Sequence, residues 1–148
     1  MKKALVILLT LAMALSLCAC GGKTPITGVE FSNRMAELGL EVCPNPALVD
    51  REKVLKAFDG GGDTLYVVFY ELTDEQTAKT GFQNGQLQAP TDAGSSAQVT
   101  EAHAAFYSKE TASESFMLAY VGSTMMIGWS TPEQSETLKT VFETMGYK

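Results

Sequence analysis

Apolar and polar positions change rhythm several times along this chain, and each change marks an element. Residues Ala4 to Leu17 form a 14-residue apolar run broken only by Thr10 and Ser16, with Lys2 and Lys3 in front of it. That is short of the ~20 apolar residues a spanning helix needs. It suits the apolar region of a secretory signal, which ends at a cleavage site of small residues. From Phe31 the rhythm turns helical: Phe31, Met35 and Leu38 recur at i, i+4 and i+7, and Gly39 stands where such a helix should stop. Cys43 precedes Pro44, which biases it to extended geometry. Asp50 is placed to cap a short helix with Val54, Leu55 and Phe58 inward, stopped at Asp59-Gly60-Gly61-Gly62.

The stretch "TLYVVFYEL" is β-branched and aromatic, apolar on both faces, and therefore predicts a central strand. Thr73-Asp74-Glu75-Gln76 has capping-box spacing and opens a helix to about Gly85, with a thin apolar stripe of Ala78 and Phe82. Residues 88 to 97 read as a mobile loop. Three strand-like runs follow. The last two are joined by Gly122-Ser123, which pairs Val121 with Thr124 and puts Phe116, Leu118 and Tyr120 on one core face with Met125, Ile127 and Trp129. The final helix has Thr131 as cap, Pro132 in its first position, Gln134 completing a second capping box, and Leu138, Val141, Phe142 and Met145 inward before Gly146. The order α-α-β-α-β-β-β-α lacks the repeated alternation of a parallel doubly wound sheet. It predicts an α+β fold: a mostly antiparallel four-stranded sheet (64–71, 98–109, 116–121, 124–130) with helices packed on one face.

Two cysteines end the apolar run. Cleavage before Cys18 would put bulky Leu17 where a small residue is wanted, whereas cleavage before Cys20 puts Ala19 there. Leu17-Cys18-Ala19-Cys20 resembles the lipobox of bacterial lipoproteins, although Cys18 stands where Ala, Ser or Thr is commoner. The resemblance implies that residues 1–19 are a lipoprotein signal and that Cys20 carries a diacylglyceryl thioether at the mature N-terminus. It also implies a lipid anchor on the extracytoplasmic face of the cell membrane. Residues 20–28 then form a polar tether, and 29–148 a single α+β domain. Over residues 115 to 147, the hairpin and the helix ending "ETMGY" are similar in pattern to small lipoproteins of Gram-positive anaerobes, families that largely lack an assigned activity. That similarity transfers no functional residue.

Composition narrows the partners. Without residues 1–19 the chain has 129 residues, with nine basic side chains against seventeen acidic ones, a net charge of −8. The basic residues do not cluster, so nucleic acid and anionic headgroups are not expected partners. The length permits one sizeable core.

Candidate chemistry is sparse. Cys43 is the one thiol left beyond Cys20, with no CxxC pair; a free cysteine is usually a small buried hydrophobe, and that is the expectation here. The other roles open to it are nucleophile, metal ligand and intermolecular bridge. A Cys–His enzyme would need His103, the single histidine, which sits in a strand pattern on the face opposite Ala102 and Ala104. Asp59 and Asp63 flank three glycines, but the oxygen spacing of an EF-hand and the GK[ST] of a phosphate loop are both missing, so a turn is expected. Glu71/Asp74 and Glu133/Glu136 read as helix-start and solvent charges. Tyr66, Tyr70 and Tyr107, with Tyr120 and Trp129, are the side chains able to line a carbohydrate or peptide groove; the competing reading is cross-strand packing. No catalytic, metal or cofactor residue is assigned. Two function classes follow: a non-enzymatic binding or accessory module that docks an envelope protein or small ligand, and a cell-envelope enzyme using Cys43 or a carboxylate.

Overall fold

A computed structural model describes residues 22–148; the expected signal and Cys20 lie outside them. In chain order the elements are α1 (Gly28–Glu37), β1 (Val42–Pro44), β2 (Val54–Gly62), β3 (Leu65–Leu72), α2 (Glu75–Gln86), β4 (Gly94–Thr100), β5 (Ala104–Thr111), β6 (Ser115–Val121), β7 (Thr124–Ser130) and α3 (Ser135–Thr144). One antiparallel sheet contains all seven strands, in the order β1-β2-β3-β7-β6-β5-β4. Two meanders meet where β3 pairs with β7, and α2 carries the chain from that seam to the far edge.

This corrects the expected four-stranded sheet, which gains the short edge strand β1 where two prolines predicted irregular chain and differs in two further respects. First, residues 54–62 form a strand and not a capped helix. Val54 and Phe58 are four apart, which mimics helical spacing, but Asp50 Oδ1 accepts N–H groups from Glu52, Lys53 and Val54 in a turn that leads into β2. The glycines lie within this strand. Gly61 has φ +100°, and a Cβ there would stand 2.1 Å from the Leu65 carbonyl oxygen, so no other residue fits the hairpin. Second, residues 98–109 are two strands. Glu101 N–H donates to the Ala104 carbonyl (2.8 Å), closing a turn that contains His103, and part of the expected loop becomes β4.

Helices also cover both faces, not one. α1 and α3 pack on one face, where Phe31, Met35, Leu138, Val141 and Phe142 meet Val67, Phe69, Met117 and Met126. Phe31 stacks on Phe69 with ring centroids 4.8 Å apart. On the other face α2 brings Ala78 and Phe82 onto Leu118, Tyr120 and Ile127. Each large side chain so buried is worth about 1.5–3 kcal/mol before entropy is charged against it. Residues of β6 are buried on both faces, the signature of a strand between helical layers.

Several elements match their sequence signals. β3 lies inside the sheet, and the β6–β7 hairpin pairs Val121 with Thr124 and Phe116 with Trp129. The α2 cap falls one residue later than expected: Asp74 accepts the Thr77 N–H at 2.7 Å. Thr131 makes no side-chain cap, and a 3-10 turn over Pro132–Gln134 precedes α3 instead of a capping box. α3 ends at Gly146 (φ +80°), where Gly146 and Tyr147 N–H donate back to Glu143 and Phe142. Tyr147 is thereby folded into the core, with its hydroxyl 2.6 Å from Thr124 Oγ1. At the other terminus Lys23 pairs with Glu101, Pro25 lies against Gly122, Ile26 is buried and Thr27 caps α1, so the described part of the expected tether, from Lys23 on, is held against the domain.

Candidate functional site

α2 does not cover its whole face of the sheet. It sits over β6 and β7, and between it and β3 a groove of about 510 Å³ remains open. That volume lies within the usual range for small-ligand sites, ~300–1,000 Å³. The floor is apolar and aromatic: Tyr70, Leu72, Met125, Ile127 and Trp129. These side chains share a face because β3 and β7 pair Tyr70 with Met125 and Tyr66 with Trp129.

The wall comes from α2 and the turn that follows it. Gln76, Thr80, Asn84 and Gln88 follow one another at intervals of four, with Thr77 alongside, and all five line the groove. This row borders the Ala78, Phe82 and Gly85 stripe that packs on the sheet. Gly85 lets α2 approach closely, since a Cβ there would be 2.9 Å from Leu118 Cδ2. Every wall side chain is an uncharged amide or hydroxyl, able to donate and to accept. Charge enters only at one end, through Asp50 and Lys53.

Of the three tyrosines singled out in the sequence, the structure brings two together. Tyr70 is half-buried in the floor. Tyr66 is 39% exposed and stacks on Trp129 (centroids 6.4 Å, planes 25° apart), extending the aromatic surface beyond the groove. Between them, from β2, comes Asp59. Its Oδ2 accepts a hydrogen bond from Asn45 Nδ2 (2.7 Å), while Oδ1 is buried without a partner. The Tyr66 hydroxyl is pushed up to about 12, first by partial loss of water and next by the Asp59 carboxylate beside it. Burial and the same carboxylate raise Tyr70. Tyr107 lies elsewhere: on β5 it packs edge-on to Phe116 with centroids 6.2 Å apart, three strands from β3. Tyr120 is buried under Phe82.

The expected burial of Cys43 is overturned. It is exposed, on the three-residue edge strand β1. His103 sits in the β4–β5 turn, where Nδ1 contacts Glu75 Oε2 at 2.9 Å and the side chain is 76% exposed. Cys43 and His103 thus belong to opposite edges of the sheet, six strand spacings or roughly 29 Å apart at ~4.8 Å each. They form no nucleophile–base pair. Among the described residues no group of three or more His, Cys, Asp and Glu side chains converges as a metal site would. Asp59 and Asp63 are separated by the end of β2, with only Asp63 in the turn.

The α2 amide row is the part of the site that the sequence reading missed. Its signal was available: "EQTAKTGFQNGQ" has too few apolar residues for a helix that merely packs, and its amides recur with helical period. Comparison with protein-family models, with curated proteins and with solved structures finds no match to this chain. No helix among the described residues is long and apolar enough to cross a membrane.

Proposed function

We propose that this chain is a lipid-anchored, extracytoplasmic binding module whose groove between α2 and the sheet holds a neutral, polyhydroxylated ligand of the saccharide type. The observation that carries this reading is the pairing of an aromatic floor, Tyr70 and Trp129, with a wall of uncharged amides and hydroxyls. Aromatic faces suit the C–H face of a sugar ring, and groups that both donate and accept suit its hydroxyls. The distance between the exposed thiol and the single histidine supports binding over Cys–His chemistry. The anchor rests on the lipobox and on Cys20. On this reading, the packing of Pro25 against the β6–β7 turn supports that end of the sheet facing the bilayer.

Trp129 is the chain's single tryptophan and lines the groove, so its emission is a direct reporter. Titration with neutral oligosaccharides should give a saturable change that acidic and basic analogues do not reproduce. No saturable change, or one indifferent to ligand charge, would count against the reading. For the anchor, Cys20→Ser should abolish palmitate labelling and Cys18→Ser should not; the reverse pattern would remove Cys20 as the lipidated residue.

A further inference from the structure

The concave surface on the α2 side of the sheet does not end with the groove. Along β3 the groove starts at Leu72, whose N–H donates to the Ser123 carbonyl beside the β6–β7 turn, and it runs to Trp129, the cross-strand partner of Tyr66. Beyond Trp129 a second hollow of about 220 Å³ opens at the opposite end of the sheet. The β2–β3 turn supplies Asp63 and Thr64 to it, the β5–β6 turn supplies Ser113 and Glu114, and the exit of β7 supplies Thr131. Trp129 lines both hollows and joins them into one surface.

The junction is aromatic and rigidly held. Tyr66 stacks on Trp129 from β3, and Phe116 meets the indole edge-on from β6, with centroids 5.6 Å apart. The Tyr66 hydroxyl lies beside Asp59, which is itself bonded by Asn45, so the outer ring is also fixed. Cross-strand packing accounts for the pairing of the two rings. It does not account for Tyr66 remaining 39% exposed. An ordered, uncovered aromatic face next to a groove is a surface on which a further sugar ring can stack.

The polar groups of the second hollow suit the same class of ligand. Asp63 and Glu114 accept hydrogen bonds, and the hydroxyls of Thr64, Ser113 and Thr131 both donate and accept. Among the described residues no basic side chain lines this hollow, which disfavours an acidic chain. From Leu72 to Leu65 the surface follows β3 for ~23 Å at ~3.3 Å per residue, several times the length of one sugar ring. We infer, building on the saccharide reading of the groove, that Tyr66 and the hollow beyond Trp129 form a second subsite. The ligand is then a linear neutral oligosaccharide that lies lengthwise along β3 and β7 with one end in that hollow.

The test is calorimetric titration of the full chain in detergent with linear β-1,4-linked chains of glucose, of mannose and of N-acetylglucosamine, from two to seven units long. The seven-unit chain should bind about tenfold or more tighter than the disaccharide of its series, because tied units engage both subsites at once. Tyr66→Ala should weaken the seven-unit chain about tenfold by removing one stacking contact, and leave the disaccharide unchanged. Thr64→Arg should do the same by filling the second hollow, since Thr64 is exposed and lines that hollow but not the groove. Tyr66→Phe keeps the ring and should bind both lengths as the unaltered chain does. Equal affinity at all lengths, variants that weaken both lengths alike, or Tyr66→Phe as weak as Tyr66→Ala would overturn the second subsite and leave the groove reading standing. No binding at any length in any series would overturn both together.

Discussion

Two glycines of α2 face the sheet, and alanine should affect them in opposite directions. At Gly81 an added Cβ would stand 3.0 Å from Met125 Sδ and 3.4 Å from its Cε. Met125 is half-buried, flexible and borders the open groove, so it can withdraw. At Gly85 the Cβ would stand 2.9 Å and 3.2 Å from the two terminal carbons of Leu118, which is 0% exposed and has no space to retreat into. Replacing glycine by alanine inside a helix gains about 0.8–1.0 kcal/mol, and overpacking a core costs about 1–3 kcal/mol. At Gly81 the gain wins, giving net stabilisation of about 0.5 kcal/mol. At Gly85 the clash wins, and its position in the last turn reduces the gain, so destabilisation of about 1–2 kcal/mol follows. Urea denaturation of the full chain in a fixed detergent reads the difference. A gap of about 2 kcal/mol at a slope of ~1.5 kcal/mol/M separates the two midpoints by roughly 1.3 M. Coincident midpoints, or the opposite order, would refute the close packing of α2 on β6 and β7.

Three further perturbations probe other parts of the structure. Tyr147→Phe should cost about 1 kcal/mol, because Thr124 Oγ1 keeps its bond to the Val121 carbonyl, while Tyr147→Ala should cost about 4 kcal/mol by emptying a buried site; equal losses in thermal unfolding would contradict this. Cys43 should react with a thiol reagent in the native state about as fast as after unfolding, and Cys43→Ala should shift the midpoint negligibly; slow native modification would place it inside the core after all. Tyr66 keeps its proton to about pH 12, while an unfolded tyrosine releases it near ~10, so the unfolded state binds fewer protons above pH 10. Stability should therefore fall as pH rises from about 10 to 12, and Tyr66→Phe should remove part of that slope; an unchanged slope would separate Tyr66 from the effect.

What could be read in the sequence follows from where burial is one-sided or complete. β3 was legible because Val67, Val68 and Phe69 are apolar on both faces, and the β6–β7 register because Gly122-Ser123 sets the turn. α1 and α3 announced themselves through a periodic stripe and a terminal glycine. β4 was illegible for the opposite reason: Ser95, Ser96 and Gln98 bury nothing, so no hydrophobic pattern marks a strand held only by its ladder to β5. β2 was misread because Gly60, Gly61 and Gly62 signal a loop in isolation, whereas here Met35 packs closely on Gly60, and the Leu65 carbonyl together with a positive φ requires glycine at 61. The same limit applied to the site. The aromatics of the floor were visible residue by residue, but which of them converge depends on strand order, and that separated Tyr107 from Tyr70. The uncovered half of the face became visible only once α2 was seen to sit over β6 and β7.

The central claim is that the wall of α2 and the floor of β3 and β7 hold a neutral saccharide between them. The most direct measurement is the nuclear magnetic resonance spectrum of the labelled full chain in detergent, recorded while a neutral oligosaccharide that shifts Trp129 emission is added. The account predicts saturable shifts in the side-chain amides of Gln76, Asn84 and Gln88 and in the Trp129 indole. Tyr70→Ala and Asn84→Ala should each weaken binding about tenfold, the loss of one stacking or hydrogen-bonding contact worth about 1.4 kcal/mol. Shifts confined to other surfaces, or binding untouched by both substitutions, would contradict it.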